Sequence, residues 1–214
     1  MLNVKKPLNP ELMTPEELYE LLNRKYPGNT TIICDLHSTC CPKRGHRCKI
    51  SQKYEVVNFD QVKTGHVKGT RKQYSSVDAV AVSASKEKFC FIELKSWQEL
   101  WTHEGTVKAI NAKADKYKNS LPKKLTDSMI ICITETEAAD LFTKSPAIFV
   151  LVTDIDVNRQ PLESLAFNLN ALAGTSSDWV VLCNDLSQGI LKNIDCVPTY
   201  YKQCRDFDAF IKSL

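Results

Sequence analysis

The run Phe89-Cys90-Phe91-Ile92-Glu93-Leu94-Lys95 ends an apolar stretch on two opposite charges. Alternate residues of a strand share a face, so Glu93 and Lys95 lie with Phe89 and Phe91, and Cys90, Ile92 and Leu94 take the other side. A buried charge is costly unless it is paired or bound to a metal, so the pattern asks for a third group. Asp78 is that group. It stands among Val77, Ala79 and Val80, in a run that reads as the middle of a strand, where aspartate is disfavoured. The polar stretch Ala84-Ser85-Lys86-Glu87 joins the two runs tightly enough for an antiparallel hairpin. A turn centred between Ser85 and Lys86 sets Asp78 directly across from Glu93, with Cβ atoms about 4.5–5.5 Å apart. A slip of one residue would send the carboxylates to opposite faces. Two carboxylates so placed repel unless a cation lies between them, and hard oxygen ligands select Mg²⁺ or Mn²⁺.

The elements around this pair follow from periodicity. Thr14-Pro15-Glu16-Glu17 starts a helix with a capping box, Met13 and Leu18 form a hydrophobic staple, and Tyr26-Pro27-Gly28 ends it. A short strand is expected over 30–34, a structured loop over 35–53, an extended segment over 53–62 and a mobile basic loop over 63–73. Strands are expected at 76–82 and 88–95. From Trp97 the period changes. Val107, Ile110, Ala114, Tyr117 and Leu121 mark one helix face, and Pro122 is expected to end that helix. Strands at 128–134, 147–153 and 179–183 then alternate with helices at 135–144 and 162–173, and 207–214 closes with an amphipathic turn or helix. Apolar strands separated by helices imply a sheet covered on both faces, hence an α/β fold.

Asp78 followed by Glu93-Leu94-Lys95 on the next strand, with a helix after it, resembles the PD-(D/E)xK, restriction-endonuclease-like nuclease superfamily. The resemblance spans residues 14–135 and implies a mixed central sheet flanked by helices, with the motif on a hairpin. It implies divalent-metal-dependent hydrolysis of phosphodiester bonds, with DNA expected ahead of RNA. Asp78 and Glu93 would hold Mg²⁺ or Mn²⁺, with the Leu94 carbonyl as a further ligand. Lys95 would orient the attacking water and stabilise the charged phosphorus centre. Val77 stands where the family has proline. Glu17 is the candidate for the further acidic residue that many members carry on the first helix, although its capping role already accounts for it. Some members carry a Gln-x-x-x-Tyr signature on the following helix, and here Lys113 stands at that spacing before Tyr117. The alternative is a nuclease fold without catalysis, serving as a nucleic-acid-binding or assembly subunit.

Two further features bear on partners. Cys34, Cys40, Cys41, His46 and Cys48 cluster with His37 in Cys-Asp-Leu-His-Ser-Thr-Cys-Cys-Pro-Lys-Arg-Gly-His-Arg-Cys, a ligand set suited to structural Zn²⁺ although the spacing fits no standard finger; a reduced, locally packed set is the other reading. Residues 43–72 hold nine basic and two acidic side chains, whereas 126–214 hold six basic and twelve acidic. That asymmetry suggests a face for a polyanion. Its nucleic-acid-binding candidates are Lys43, Arg44, Arg47, Lys68, Arg71 and Lys72, joined by Lys113 and Lys116 on the later helix. Residues 1–214 read as one nuclease-like domain with a Cys/His-rich basic insertion at 34–53. With 43% apolar residues, no stretch long enough to span a membrane and no apolar run near the first residue, a cytoplasmic protein without a membrane partner is expected. Specificity would come from a homodimer or a partner subunit, since no separate sequence-reading module is visible.

Overall fold

The computed structural model describes residues 13–36, 53–68, 73–97, 100, 103, 106–155 and 179–214. Six strands form one mixed sheet in sequential order: β1 (Thr30–Ile32), β2 (Glu55–Asn58), β3 (Ala79–Val82), β4 (Phe89–Lys95), β5 (Ala147–Thr153) and β6 (Thr199–Gln203). The first four pair antiparallel, and β4–β5 and β5–β6 are parallel. The helices are α1 (Pro15–Lys25), α2 (Ile33–Leu36), α3 (Phe59–His66), α4 (Val107–Thr136), α5 (Leu141–Lys144), α6 (Trp179–Leu191) and α7 (Phe207–Ser213). None is long and apolar enough to cross a membrane among the described residues.

The alternation of β4 sorts its side chains onto two cores. Phe89 and Phe91 face α1 and α4 with Val80, Phe149 and Leu151, whereas Cys90 and Ile92 face α7 with Ala81, Val150 and Phe207. The hairpin register has Ala79 opposite Ile92 and Val82 opposite Phe89, which is the register expected from a turn centred between Ser85 and Lys86. Lys86 takes φ 66° there, a left-handed conformation needed to reverse the chain. α1 begins with the expected capping box, in which the Glu17 carboxylate accepts from the Thr14 N–H at 2.8 Å.

Several elements differ from the sequence expectation. The segment 53–62 is extended only as far as Asn58, whose side chain caps α3, so Phe59 and Val62 bury on a helix face. The helix expected to stop at Pro122 runs 30 residues through it. Proline forfeits one backbone hydrogen bond and costs about 3 kcal/mol inside a helix. Burial of Leu121, Leu125, Ile131 and Cys132 along one stripe outweighs that cost. The apolar run 128–134 is therefore helix, and Ile130 points outward at 39% exposure where a buried strand would have hidden it. Residues 179–183 also open a helix, with Cys183, Ser187 and Ile190 buried at helical spacing. β6, Thr-Tyr-Tyr-Lys-Gln, is a strand that the sequence reading missed, an edge too polar to stand out. The helix expected over 162–173 lies outside the described residues.

α4 is tied to α1 and α3 near its C-terminal end by Glu135. Its carboxylate accepts from Lys25 Nζ at 2.7 Å and His66 Nδ1 at 2.5 Å, and from the Tyr26 hydroxyl. Burial alone would raise the Glu135 pKa, but these hydrogen bonds outweigh it and hold the carboxyl below the usual carboxylate range. A depressed carboxylate pKa contributes stability that is present above the unfolded pKa of about 4.3 and is lost as pH falls through the folded value. Glu135→Gln is therefore expected to cost about 1–3 kcal/mol at pH 7. In urea unfolding followed across acid pH, the gap between variant and wild type should close below about pH 4.

Candidate active site

Asp78 sits one residue before β3, at the mouth of the strand rather than in its middle as the sequence suggested. Four contacts set its position. The Asp78 N–H donates to the Ile92 carbonyl at 3.1 Å, and the Asp78 carbonyl accepts from Phe59 N–H at the start of α3. Just upstream, Ser75 N–H donates to Asp127 Oδ2 at 2.7 Å and Val77 N–H donates to Ser128 Oγ at 3.0 Å, both on α4. The segment entering β3 is thus stitched to α4 one turn from Lys124.

The paired register ends at Ala79 opposite Ile92, and Asp78 bends out of the ladder just before it. The direct Asp78–Glu93 pairing expected from the sequence is thus replaced by two carboxylates joined through a lysine. Glu93 itself faces α4. It is fully buried, whereas the Asp78 side chain is 25% exposed. Lys124 Nζ reaches between the two carboxylates, 2.7 Å from Glu93 Oε1 and 3.5 Å from Asp78 Oδ1. Lys95 Nζ also binds Glu93 Oε1, and donates to the Leu94 carbonyl at 3.0 Å. The second Asp78 oxygen, Oδ2, accepts from the Leu94 N–H at 2.7 Å. Glu93 Oε2 is buried with no hydrogen-bond partner among the described residues. An orphaned carboxylate oxygen of this kind costs free energy unless something cationic meets it.

Electrostatics follow the geometry. Burial pushes the Glu93 carboxyl upward, opposed by Lys95 and then reinforced by the Asp78 charge. For Lys124, burial works against the charge, but the Glu93 and Asp78 carboxylates outweigh it, and its pKa is raised. Tyr117, one helical turn along α4 from Lys113, is pushed up to about 12 by burial and by the Glu93 anion, so it stays a neutral phenol at physiological pH. Its ring carries Lys95 Nζ at 4.8 Å and Lys113 Nζ at 5.7 Å from the centroid. These residues, with Leu94, Ser96, Leu100 and His103, line a cleft of about 480 Å³ that meets the carboxylate cluster through Leu94 and Lys95, while Asp78, Glu93 and Lys124 do not line it. Beyond Lys95 the chain is anchored again: Trp97 N–H donates to Asp154 Oδ1 at 2.9 Å and its indole N–H to Ser187 Oγ at 2.8 Å.

The structure therefore gathers Asp78, Glu93, Leu94 and Lys95 in one place, with Lys113 on the cleft wall. It does not bring Glu17 there. Glu17 remains in its capping box, and the neighbouring Glu16 pairs with Lys86 in the hairpin turn, at the opposite end of β4 from Glu93. Lys116 is exposed and does not line the cleft. Lys68 is exposed on the turn after α3, beyond His66, whose partner Glu135 lies roughly 16 Å along α4 from Lys124. Of the Cys/His cluster only Cys34 is described, as a free, buried thiol. Cys40, Cys41, His46, Cys48, Lys43, Arg44, Arg47, Arg71 and Lys72 lie outside the described residues. Among the described residues, no group of three or more His, Cys, Asp or Glu side chains could hold a metal ion.

Lys124 is the residue that sequence reasoning missed, because ending the helix at Pro122 removed it from view. Carried through the proline, the periodicity puts Lys124 seven residues from Tyr117 and on its face. Asp60 was missed likewise. It lies in the first turn of α3, accepts from Lys63 Nζ at 2.8 Å and Ser76 Oγ at 2.5 Å, and lies within electrostatic reach of Lys124.

Because Glu93 has no water to solvate it, Lys124→Met should cost about 1–3 kcal/mol, Lys95 still neutralising part of the charge. In a Glu93→Gln background the same change should cost at least about 1 kcal/mol less, since the buried anion is gone. Urea denaturation of the four proteins measures this coupling, and additive losses would contradict the arrangement. No family model, curated protein or solved structure matches this chain.

Proposed function

We propose that this protein is a divalent-metal-dependent nuclease of the restriction-endonuclease-like fold, hydrolysing phosphodiester bonds of DNA ahead of RNA. The observation that carries the reading is the convergence of the Asp78 and Glu93 carboxylates, both within 3.5 Å of one nitrogen, with Lys95 beside them. The order of elements supports it: an antiparallel hairpin bearing Asp78 and Glu-x-Lys, a helix, then a parallel strand.

The donor set fits Mg²⁺ or Mn²⁺. Glu93 Oε2 is buried without a partner among the described residues, and Asp78 Oδ1 and the Leu94 carbonyl meet only lysine ammonium groups among the described contacts. Hard oxygen donors of this kind suit these ions, and the ion, when bound, supplies a lowered pKa for water and charge stabilisation at phosphate. The chain's own residues do the rest. The Leu94 N–H fixes the Asp78 carboxylate by its second oxygen, leaving Oδ1 turned toward Glu93. Lys95, held over the Tyr117 ring, brings a positive charge to the cleft wall, where it meets a phosphate's non-bridging oxygen. Lys113 adds a second cation along the same wall for an adjacent phosphate. Tyr117, neutral at working pH, keeps the ring between them from repelling a polyanion.

One observation favours the second reading, a nuclease fold that only binds nucleic acid. The two carboxylates are already matched by two lysines, so the cluster is neutral without any ion. Incubation of purified protein with plasmid, linear duplex, single-stranded DNA and RNA separates the two. Cleavage is expected with Mg²⁺ or Mn²⁺ and not with chelator. Glu93→Ala or Lys95→Ala should each slow it at least about 100-fold. Equal cleavage by both variants would sink the catalytic reading.

A further inference from the structure

We propose that Lys124 is a built-in counter-cation that occupies the divalent-ion position, so that an ion binds only as this ammonium swings out. The proposal rests on the nuclease reading above and deepens it. Lys124 Nζ bridges Glu93 Oε1 and Asp78 Oδ1, the two side chains that would ligate the ion. An ammonium and a divalent ion cannot share that space, and at such distances their repulsion in a partly buried site amounts to several kcal/mol at an effective dielectric near 20.

The surroundings make the displacement feasible. Lys124 is 26% exposed, so its four-carbon stem has a route outward, whereas Lys95 is 12% exposed and is held by the Leu94 carbonyl and the Tyr117 ring. Asp60 offers a landing point. It interacts electrostatically with Lys124, is itself 56% exposed, and already holds Lys63 and Ser76. Charge balance gives the arrangement a use. With Lys124 in place, Asp78 and Glu93 cancel Lys95 and Lys124. Replacing an ammonium by a divalent ion leaves one net positive charge, which is the complement of one phosphodiester. Ion and nucleic-acid backbone therefore favour each other's binding, and the resting carboxylates stay screened without either.

Calorimetric titration of Mn²⁺ into the full chain tests this without reference to catalysis. Lys124→Met and Lys124→Gln are expected to bind Mn²⁺ at least about tenfold more tightly than wild type, while Lys124→Arg does not. In wild type, reductive methylation read by mass spectrometry should label Lys124 several-fold faster with Mn²⁺ than without, and this holds even where a variant fails to fold. Equal or weaker binding by both neutral variants, or unchanged labelling, overturns the proposal while leaving the nuclease reading intact. Mn²⁺ binding that persists in Asp78→Asn/Glu93→Gln, or no binding by any protein, overturns both.

Discussion

Glu93 has been taken out of water, and most of the local architecture answers that fact. A carboxylate inside a protein must be matched by a cation or take up a proton. Here it is matched twice, by Lys95 from its own strand and by Lys124 from α4. The second partner requires α4 to continue through Pro122, and the position of Asp78 requires the chain before β3 to be bonded to Asp127 and Ser128 on the same helix. One helix thus supplies both the counter-charge and the scaffold that aligns the second carboxylate.

The cluster also sits where the sheet changes character. β4 pairs antiparallel with β3 on one side and parallel with β5 on the other. A parallel neighbour demands a crossover, and α4 is the main element of that crossover, laid across the face that holds Phe89, Phe91 and Glu93. The cleft opens at the carboxyl end of β4, where the crossover departs and the apolar cover ends. In open α/β sheets such ends are where ligands bind, and the residues there are cationic and aromatic rather than acidic alone. Tyr117 lets Lys95 and Lys113 sit close together, because the ring face attracts both.

Much of this was legible in the residues alone. The hairpin register came from a polar turn of fixed length between two apolar runs, and strand alternation then placed Glu93 and Lys95 on one face, whereas Asp78 lies in a bend just outside the ladder. Capping chemistry located α1, and the Val/Ile/Phe run of β5 declared itself. These are local signals, carried by periods of two and by side chains bonding their own backbone. The failures share one cause. The runs at 128–134 and 179–183 are apolar enough for either strand or helix, and the choice is made by what covers them. Asn58 turned a strand into a helix, and Pro122 was tolerated because neighbouring turns of α4 are buried on both sides of it.

What the amino-acid order determined, then, was the hairpin and the shared face of Glu93 and Lys95 on it, because both depend on contacts between near neighbours in the chain. Tertiary structure alone decided that Glu93 is sealed from water, that Lys124 lies between the carboxylates and that Glu17 lies far from them. Each of those outcomes turns on how a long helix packs across a sheet, and packing at a separation of thirty residues or more leaves no local trace in composition or spacing.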